Sequence, residues 1–384
     1  MPEIQPEEFT VRSVLGIFKM IEEENNVFMG KANGCLLRVE VSGTGAAEDF
    51  SASLICVNSK LPAPHKLAGG FVSLQLLSTH LASWMDEVCT EQIEDYAKDV
   101  KYFQTSGGKL AYWAYNTHLD TVPVVFVHGG PGGDSNPVKA RRLCLENPVY
   151  LFDQMGCGLS DPIKDYDAWV LDDYITQMKE FIDSIPAEKV IIIGASWGSG
   201  LSVSYADATS CEKITAMILP SPYLSTKCWT EDMWQNLQSL GPEACGIVMN
   251  AIEKKDFGPE FIKILGEYNS RYLFNRSIYR EYALASAEEA PNETFRRLNG
   301  PNDMATDGKL KDFDITPALA KLNVPVLFMC ADSDEVTVPR IIQYHDAVKG
   351  SRLSIIPNAG HVLALEQFDL YRGAIVAFLR ELEL

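Results

Sequence analysis

Residues Gly194-Ala195-Ser196-Trp197-Gly198 set a serine between two glycines in the spacing G-x-S-x-G. A serine hydroxyl attacks a carbonyl usefully only when a neighbouring base takes its proton and an acid orients that base. The flanking chain suits such a role. Residues 189–193, Lys-Val-Ile-Ile-Ile, are an apolar, β-branched run of buried-strand type, and the small residues of 199–208 predict a helix. Strand, sharp turn and helix in that order make a nucleophile elbow. Its glycines permit the tight turn that lifts the hydroxyl off the C-terminal edge of a sheet. Type and spacing together point to a serine hydrolase.

The partners should follow the serine, acid first and then histidine, each on a loop after a strand. Only His345 and His361 lie beyond Ser196. His345 falls within a predicted helix over 341–348, where a surface position is expected. His361, in Asn358-Ala359-Gly360-His361, directly follows the predicted strand 352–356 and is the candidate base. The acid has to come from the loop after the predicted strand 324–330, which reads Ala331-Asp332-Ser333-Asp334-Glu335-Val336-Thr337. Asp332 and Asp334 compete there, and spacing slightly favours Asp334, which lies further past the strand end.

A tetrahedral intermediate needs amide donors for its oxyanion. His128-Gly129-Gly130-Pro131-Gly132-Gly133 follows the predicted strand 123–127. The hole is assigned to the amides of Gly130 and Trp197, with His128 shaping the loop rather than acting as a base. A third glycine-spaced loop, Asp153-Gln154-Met155-Gly156-Cys157-Gly158-Leu159-Ser160, lacks the lysine of a phosphate cradle and an acidic ribose ligand. Cys157 within it has no evident activating partner.

Three parts must position these residues. Residues 1–97 show β-like runs at 35–41, 51–57 and 71–77 and a predicted helix at 81–97, a small α/β or β-rich extension. His65 and His80 in it read as packing or surface residues. Residues 98–220 and 315–384 alternate as an α/β sheet: a hairpin of 100–104 and 110–115, strands at 123–127, 148–152 and 214–219, a helix at 167–185 and a closing helix at 367–382. Between them, 221–314 is rich in aromatic and charged residues at helical spacing, as in 233–240, 261–272 and 279–290, and reads as a helical cap over the active-site edge.

The net charge of −19 argues against nucleic-acid and anionic-membrane partners. Nine cysteines without C-x-x-C spacing suggest neither a zinc site nor a disulfide framework, and no metal or cofactor is expected. The first residues, Met1-Pro2-Glu3-Ile4, carry no basic and apolar leader, so a cytoplasmic protein with reduced thiols is expected.

The combination of HGGPGG at 128–133, DQMGCGLS at 153–160 and GASWGS at 194–199 resembles the proline iminopeptidases. These are the prolyl aminopeptidase branch of the α/β hydrolases, and the archaeal tricorn-interacting aminopeptidase is similar. The resemblance covers residues 98–384 and leaves out the first 97. It implies an α/β-hydrolase fold with a mostly parallel central sheet and a helical cap. Leu298-Asn299-Gly300-Pro301-Asn302-Asp303 resembles the family's N-G-P-N-E segment, and Asp334-Glu335-Val336-Thr337 its D-E-V-T run. By that similarity Asp334 is the triad acid, and Glu335 and Asp303 bind the substrate's protonated α-amine. Asp303 departs from the family glutamate, shortening the reach by ~1.5 Å. The bulky Trp197 could also wall a proline-like ring. The implied function is release of an N-terminal residue, proline or another small apolar one, from a small peptide or aminoacyl amide with a free amino terminus, through an acyl-enzyme. The alternative is an esterase, lactonase or small-molecule amidase, as in secondary metabolism, using the same triad. A non-catalytic binding module on this scaffold has least support, since the triad and hole are complete in sequence.

Overall fold

The computed structural model describes residues 99–135, 140, 143, 145–275, 280–288 and 291–384, and strand segments between residues 12 and 66. The chain divides into two compact units, residues 1–100 with 136–143 and 277–282, and the remainder. In the first, Lys19–Glu24, Val27–Ala32, Cys35–Ser42, Ser51–Cys56 and His65–Lys66 pair antiparallel in that order. The run expected at 35–41 and residues 51–56 of the run expected at 51–57 fall within this sheet, whereas residue 57, the run at 71–77 and the helix at 81–97 lie outside the described residues.

The second unit is built on an eight-stranded sheet. Its strands are β1 (Lys101–Gln104), β2 (Lys109–Tyr115), β3 (Val124–Val127), β4 (Val149–Phe152), β5 (Val190–Gly194), β6 (Ile214–Pro220), β7 (Val326–Ala331) and β8 (Arg352–Ile356). They lie in the order β8-β7-β6-β5-β3-β4-β2-β1. Neighbours from β8 to β4 are parallel, and β2 and β1 turn back antiparallel at one edge. A parallel sheet covered on both faces needs strands that are apolar throughout rather than alternating. Every residue of β5 and β7 is buried accordingly. Burying one such isoleucine contributes about 2 kcal/mol.

Helices α1 (Leu171–Ser184) and α2 (Trp197–Ala208) belong to this sheet layer. The helix expected from residue 167 begins later, because Asp165 caps a separate turn by accepting the amides of Asp167 and Ala168. Between β6 and β7 the chain is helical, with α3 (Thr226–Leu237), α4 (Pro242–Lys254), α5 (Pro259–Tyr268), α6 (Arg280–Ser286) and α7 (Glu293–Leu298). A π-helical turn, Asn269–Leu273, continues α5. After β7 come α8 (Val338–Ala347), α9 (Leu363–Glu366) and α10 (Phe368–Glu381). Among the described residues no helix is long and apolar enough to cross a membrane.

Parallel strands deliver all their carboxyl ends to one edge of a sheet, where α/β proteins place their ligands. The loops after β3, β5, β7 and β8 therefore converge, and they hold every candidate residue except Trp197, the first residue of α2, and Asp303, which lies in the insertion between β6 and β7. The helical insertion is bolted to this edge. Asp232 of α3, 3% exposed, accepts from the Arg340 guanidinium at 3.3 Å, the Thr337 hydroxyl at 3.2 Å and the Thr337 amide at 3.3 Å. Removing one partner of a buried pair strands the other charge away from water. Arg340→Ala is expected to lower unfolding free energy by about 3 kcal/mol in urea titrations. A loss below about 1 kcal/mol would mean that Asp232 stays solvated.

Candidate active site

Ser196 sits at the junction of β5 and α2 with φ 52° and ψ −123°, the bent backbone of an elbow. Its amide donates to Pro220 O at 3.0 Å, and its carbonyl accepts the Tyr223 amide at 3.1 Å, so the turn is tied to the end of β6. A Cβ on Gly198 would lie 2.2 Å from Val127 O and 2.7 Å from His128 O. Only glycine lets α2 pass this close to the end of β3, which is the physical content of the last letter of G-x-S-x-G.

His361 follows β8. Its Nδ1 lies 2.7 Å from Asp334 Oδ1 and 3.8 Å from Glu335 Oε2. Asp334 is 3% exposed. Besides His361, it accepts the Ala331 amide at 3.1 Å, the Val336 amide at 3.3 Å and the Ser221 hydroxyl at 2.6 Å. The competitor Asp332 points elsewhere, accepting the amides of Asn358 at 3.0 Å and Ala359 at 3.4 Å, and so braces the histidine loop. His345 is half-buried in α8 rather than on the surface, its Nδ1 2.6 Å from Ser351 Oγ. Among the described residues no hydrogen bond joins Ser196 Oγ to the His361 ring, whose Nδ1 is held by Asp334. Such contacts commonly tighten only when substrate is seated.

Charge around His361 is one-sided. Burial opposes a proton on its ring, but the carboxylates of Asp334, Glu335 and Asp303 outweigh it and push the imidazole up to about 9. Burial raises Glu335, against the His361 charge and together with the nearby Asp303 and Asp334. Burial likewise raises Asp303, with His361 opposing. Asp303 is half-buried and also acts on the hydroxyls of Tyr223 and Tyr268. The structure thus gathers Glu335, Asp303 and His361 into one set of interacting groups, with the Asp334 carboxylate bonded to the imidazole's Nδ1.

The loop after β3 carries Gly130 at φ 117°. Trp197 is the first residue of α2, and its amide has no intrahelical acceptor. Gln154 ties these two donor segments together. Its side-chain amide donates to His128 O at 2.9 Å and its oxygen accepts Trp197 Nε1 at 3.0 Å. Its backbone amide donates to His128 Nε2 at 2.9 Å, which leaves the His128 proton on Nδ1, facing Gly129 O. Burial lowers the basicity of His128. The suggested role of the Trp197 ring is corrected here. It is 0% exposed, packed edge-on against Tyr174, Tyr223 and Phe313, and cannot wall a substrate. The aromatic ring against His361 is that of Trp229, edge-on at 5.5 Å.

Several supporting residues escaped the sequence reading. Asn236 of α3 donates to the carbonyls of Asp334 at 3.1 Å and Glu335 at 3.2 Å. The π-helical turn accepts the His361 amide on Tyr272 O at 2.7 Å and the Val362 amide on Leu273 O at 3.2 Å. Glu366 accepts the Gly360 amide at 2.5 Å and the Asn275 amide at 3.1 Å. A Cβ on Gly360 would meet Tyr272 O and Leu273 O at 2.8 Å. None of these residues belongs to a motif; each is found only from the fold.

A family profile for the α/β hydrolase fold matches residues 122–368. The chain is similar to a proline iminopeptidase of Heyndrickxia coagulans, 26% identical over 287 residues, covering 73% of this chain and 98% of the relative. A proline iminopeptidase of Saccharolobus solfataricus is 28% identical over 284 residues, covering 72% of this chain and 91% of the relative. Among solved structures, VinJ superposes with a TM-score of 0.66 at 21% identity, over 73% of this chain and 98% of that one. A proline iminopeptidase of Mycobacterium smegmatis superposes at 0.63 with 20% identity, over 73% and 98%.

The charge arrangement gives a direct measurement. In an NMR titration the His361 ring is expected to lose its proton near pH 9, well above the ordinary value of about 6.5. Glu335→Gln removes one of the anions that hold the proton, so the midpoint should fall. A wild-type midpoint near 6.5 would show that the carboxylates do not act on the ring.

Proposed function

The chain belongs to the α/β-hydrolase family, on its proline iminopeptidase branch, and we propose that it is a serine aminopeptidase that releases a small apolar N-terminal residue, proline included. Ser196 Oγ attacks the scissile carbonyl carbon and its proton passes to His361, which Asp334 orients. The amides of Gly130 and Trp197 receive the oxyanion. The imidazolium then protonates the leaving amine as the C–N bond breaks, leaving an ester on Ser196. Water attacks that ester, giving its proton to His361, and the released amino acid leaves as the serine regains its own.

One observation carries the specificity. A triad needs one carboxylate, yet this imidazole faces Asp334, Glu335 and Asp303. Glu335 is buried and Asp303 half-buried, and two surplus acids so placed are costly unless something positive joins them. A substrate ammonium between Glu335 and Asp303 meets that need and fixes the scissile bond one residue from the N-terminus. It also offsets the charge that keeps His361 protonated, so the base is freed as substrate binds. The helices between β6 and β7 then act as a cap over this end of the site, with Trp229 supplying apolar surface. The shorter reach of Asp303 favours a second reading, an esterase or small-molecule amidase on the same triad. Preference for uncharged esters, indifferent to Glu335→Gln, would select it.

Ser196→Ala or His361→Ala should lower turnover of an aminoacyl arylamide by several orders of magnitude with the fold retained by circular dichroism. A wild-type rate would remove that residue from the mechanism. Free-amine substrates should be hydrolysed and their N-acetylated counterparts refused, and Glu335→Gln should raise KM for the former by roughly tenfold or more. Equal rates on both would end the amine-anchor assignment.

A further inference from the structure

Ser221 follows the last residue of β6 at φ 47°, in the left-handed region that disfavours any side chain. It is 2% exposed, so neither solvent contact nor a turn tip accounts for a serine there. Its amide donates to Met329 O of β7 at 2.7 Å, which pins its backbone to the strand that leads into the acid loop. Its hydroxyl lies 2.6 Å from Asp334 Oδ2 and 3.1 Å from His361 O. A hydroxyl has one proton, and the shorter contact to the charged acceptor takes it. The residue before it, Pro220, receives the Ser196 amide.

Ser221 therefore stands where the elbow, the acid and the histidine loop meet. His361 and the Val336 amide hold Oδ1 of Asp334, and Ser221 and the Ala331 amide hold Oδ2. On Oδ2 the Ser221 hydroxyl at 2.6 Å is the shorter of two contacts, the Ala331 amide lying at 3.1 Å, so the hydroxyl is the tighter hold against rotation about the carboxylate's last bond. We propose that Ser221 is a positioning residue whose hydroxyl locks the Asp334 carboxylate in the plane that orients His361. The backbone strain at a non-glycine residue is the local trace of that role. This inference rests on the assignment of Ser196, His361 and Asp334 made above.

Ser221→Gly is the decisive variant, because it removes the hydroxyl while suiting the positive φ, and Ser221→Ala is the companion that keeps the Cβ. Three readouts on the full chain apply: turnover of an aminoacyl arylamide, the rate of labelling of Ser196 by an aryl phosphonate, and the low-field proton resonance of the Asp334–His361 hydrogen bond. In both variants kcat and labelling should fall on the order of ten- to a hundredfold. KM should stay within about twofold, since Glu335 and Asp303 do not touch Ser221. The low-field resonance should broaden or move upfield, and Ser221→Gly should melt no earlier than wild type. Wild-type rates with an unmoved resonance overturn the proposal, as does a loss of rate with an unmoved resonance. If wild type itself is not labelled at Ser196, the hydrolase reading fails, and the resonance alone decides the role of Ser221.

Discussion

A carboxylate taken out of water has to recover its solvation from fixed donors, and Asp334 does so on both oxygens. The amide of Ala331 comes from the last residue of β7, the hydroxyl of Ser221 from the end of β6, and the imidazole from the loop after β8. These three strands are neighbours in the sheet. Strand order is thus what makes this anion possible, because only adjacent parallel strands bring their carboxyl ends within hydrogen-bond reach of one side chain. Histidine orientation, elbow position and the seat of Glu335 one residue on all follow from that buried charge.

The second layer of organisation is electrostatic. Acids are gathered around one imidazole, so protonation of any of them alters the others. Burial holds the surplus acids above their ordinary range, and the acids hold the imidazole above its own. A cation of the right reach changes both at once. Under the proposed function, recognition and activation are parts of one event, because the group that would read the substrate's end also sets the basicity of the His361 ring.

Legibility in the sequence followed locality. Strands β5 and β7 were visible because buried parallel strands are apolar at every position, and the elbow because its chemistry lies within five residues. Helix α4 was not anticipated; its start is marked only by Gly241 and Pro242, and its apolar face is short. The choice between Asp332 and Asp334 needed the family resemblance, since both follow β7 and only the fold shows that Asp332 braces the histidine loop. Trp197 misled because bulk beside a nucleophile suggests a pocket wall, while its indole is spent on Gln154 and the core. Ser221 and Asn236 had no local signal at all, as their partners lie 113 and 98 residues away, and the Glu366 bond to Asn275 spans 91.

The π-helical turn at Asn269–Leu273 offers its carbonyls to the backbone on either side of the imidazole's anchor point, and Glu366 staples the next residue but one after the turn to the same loop. A segment wired in this way cannot swing aside like a door without unseating the base. Any transplant of a foreign insertion onto this scaffold must carry two acceptors at the same spacing, or the borrowed roof will arrive without the beam that holds the machinery beneath it.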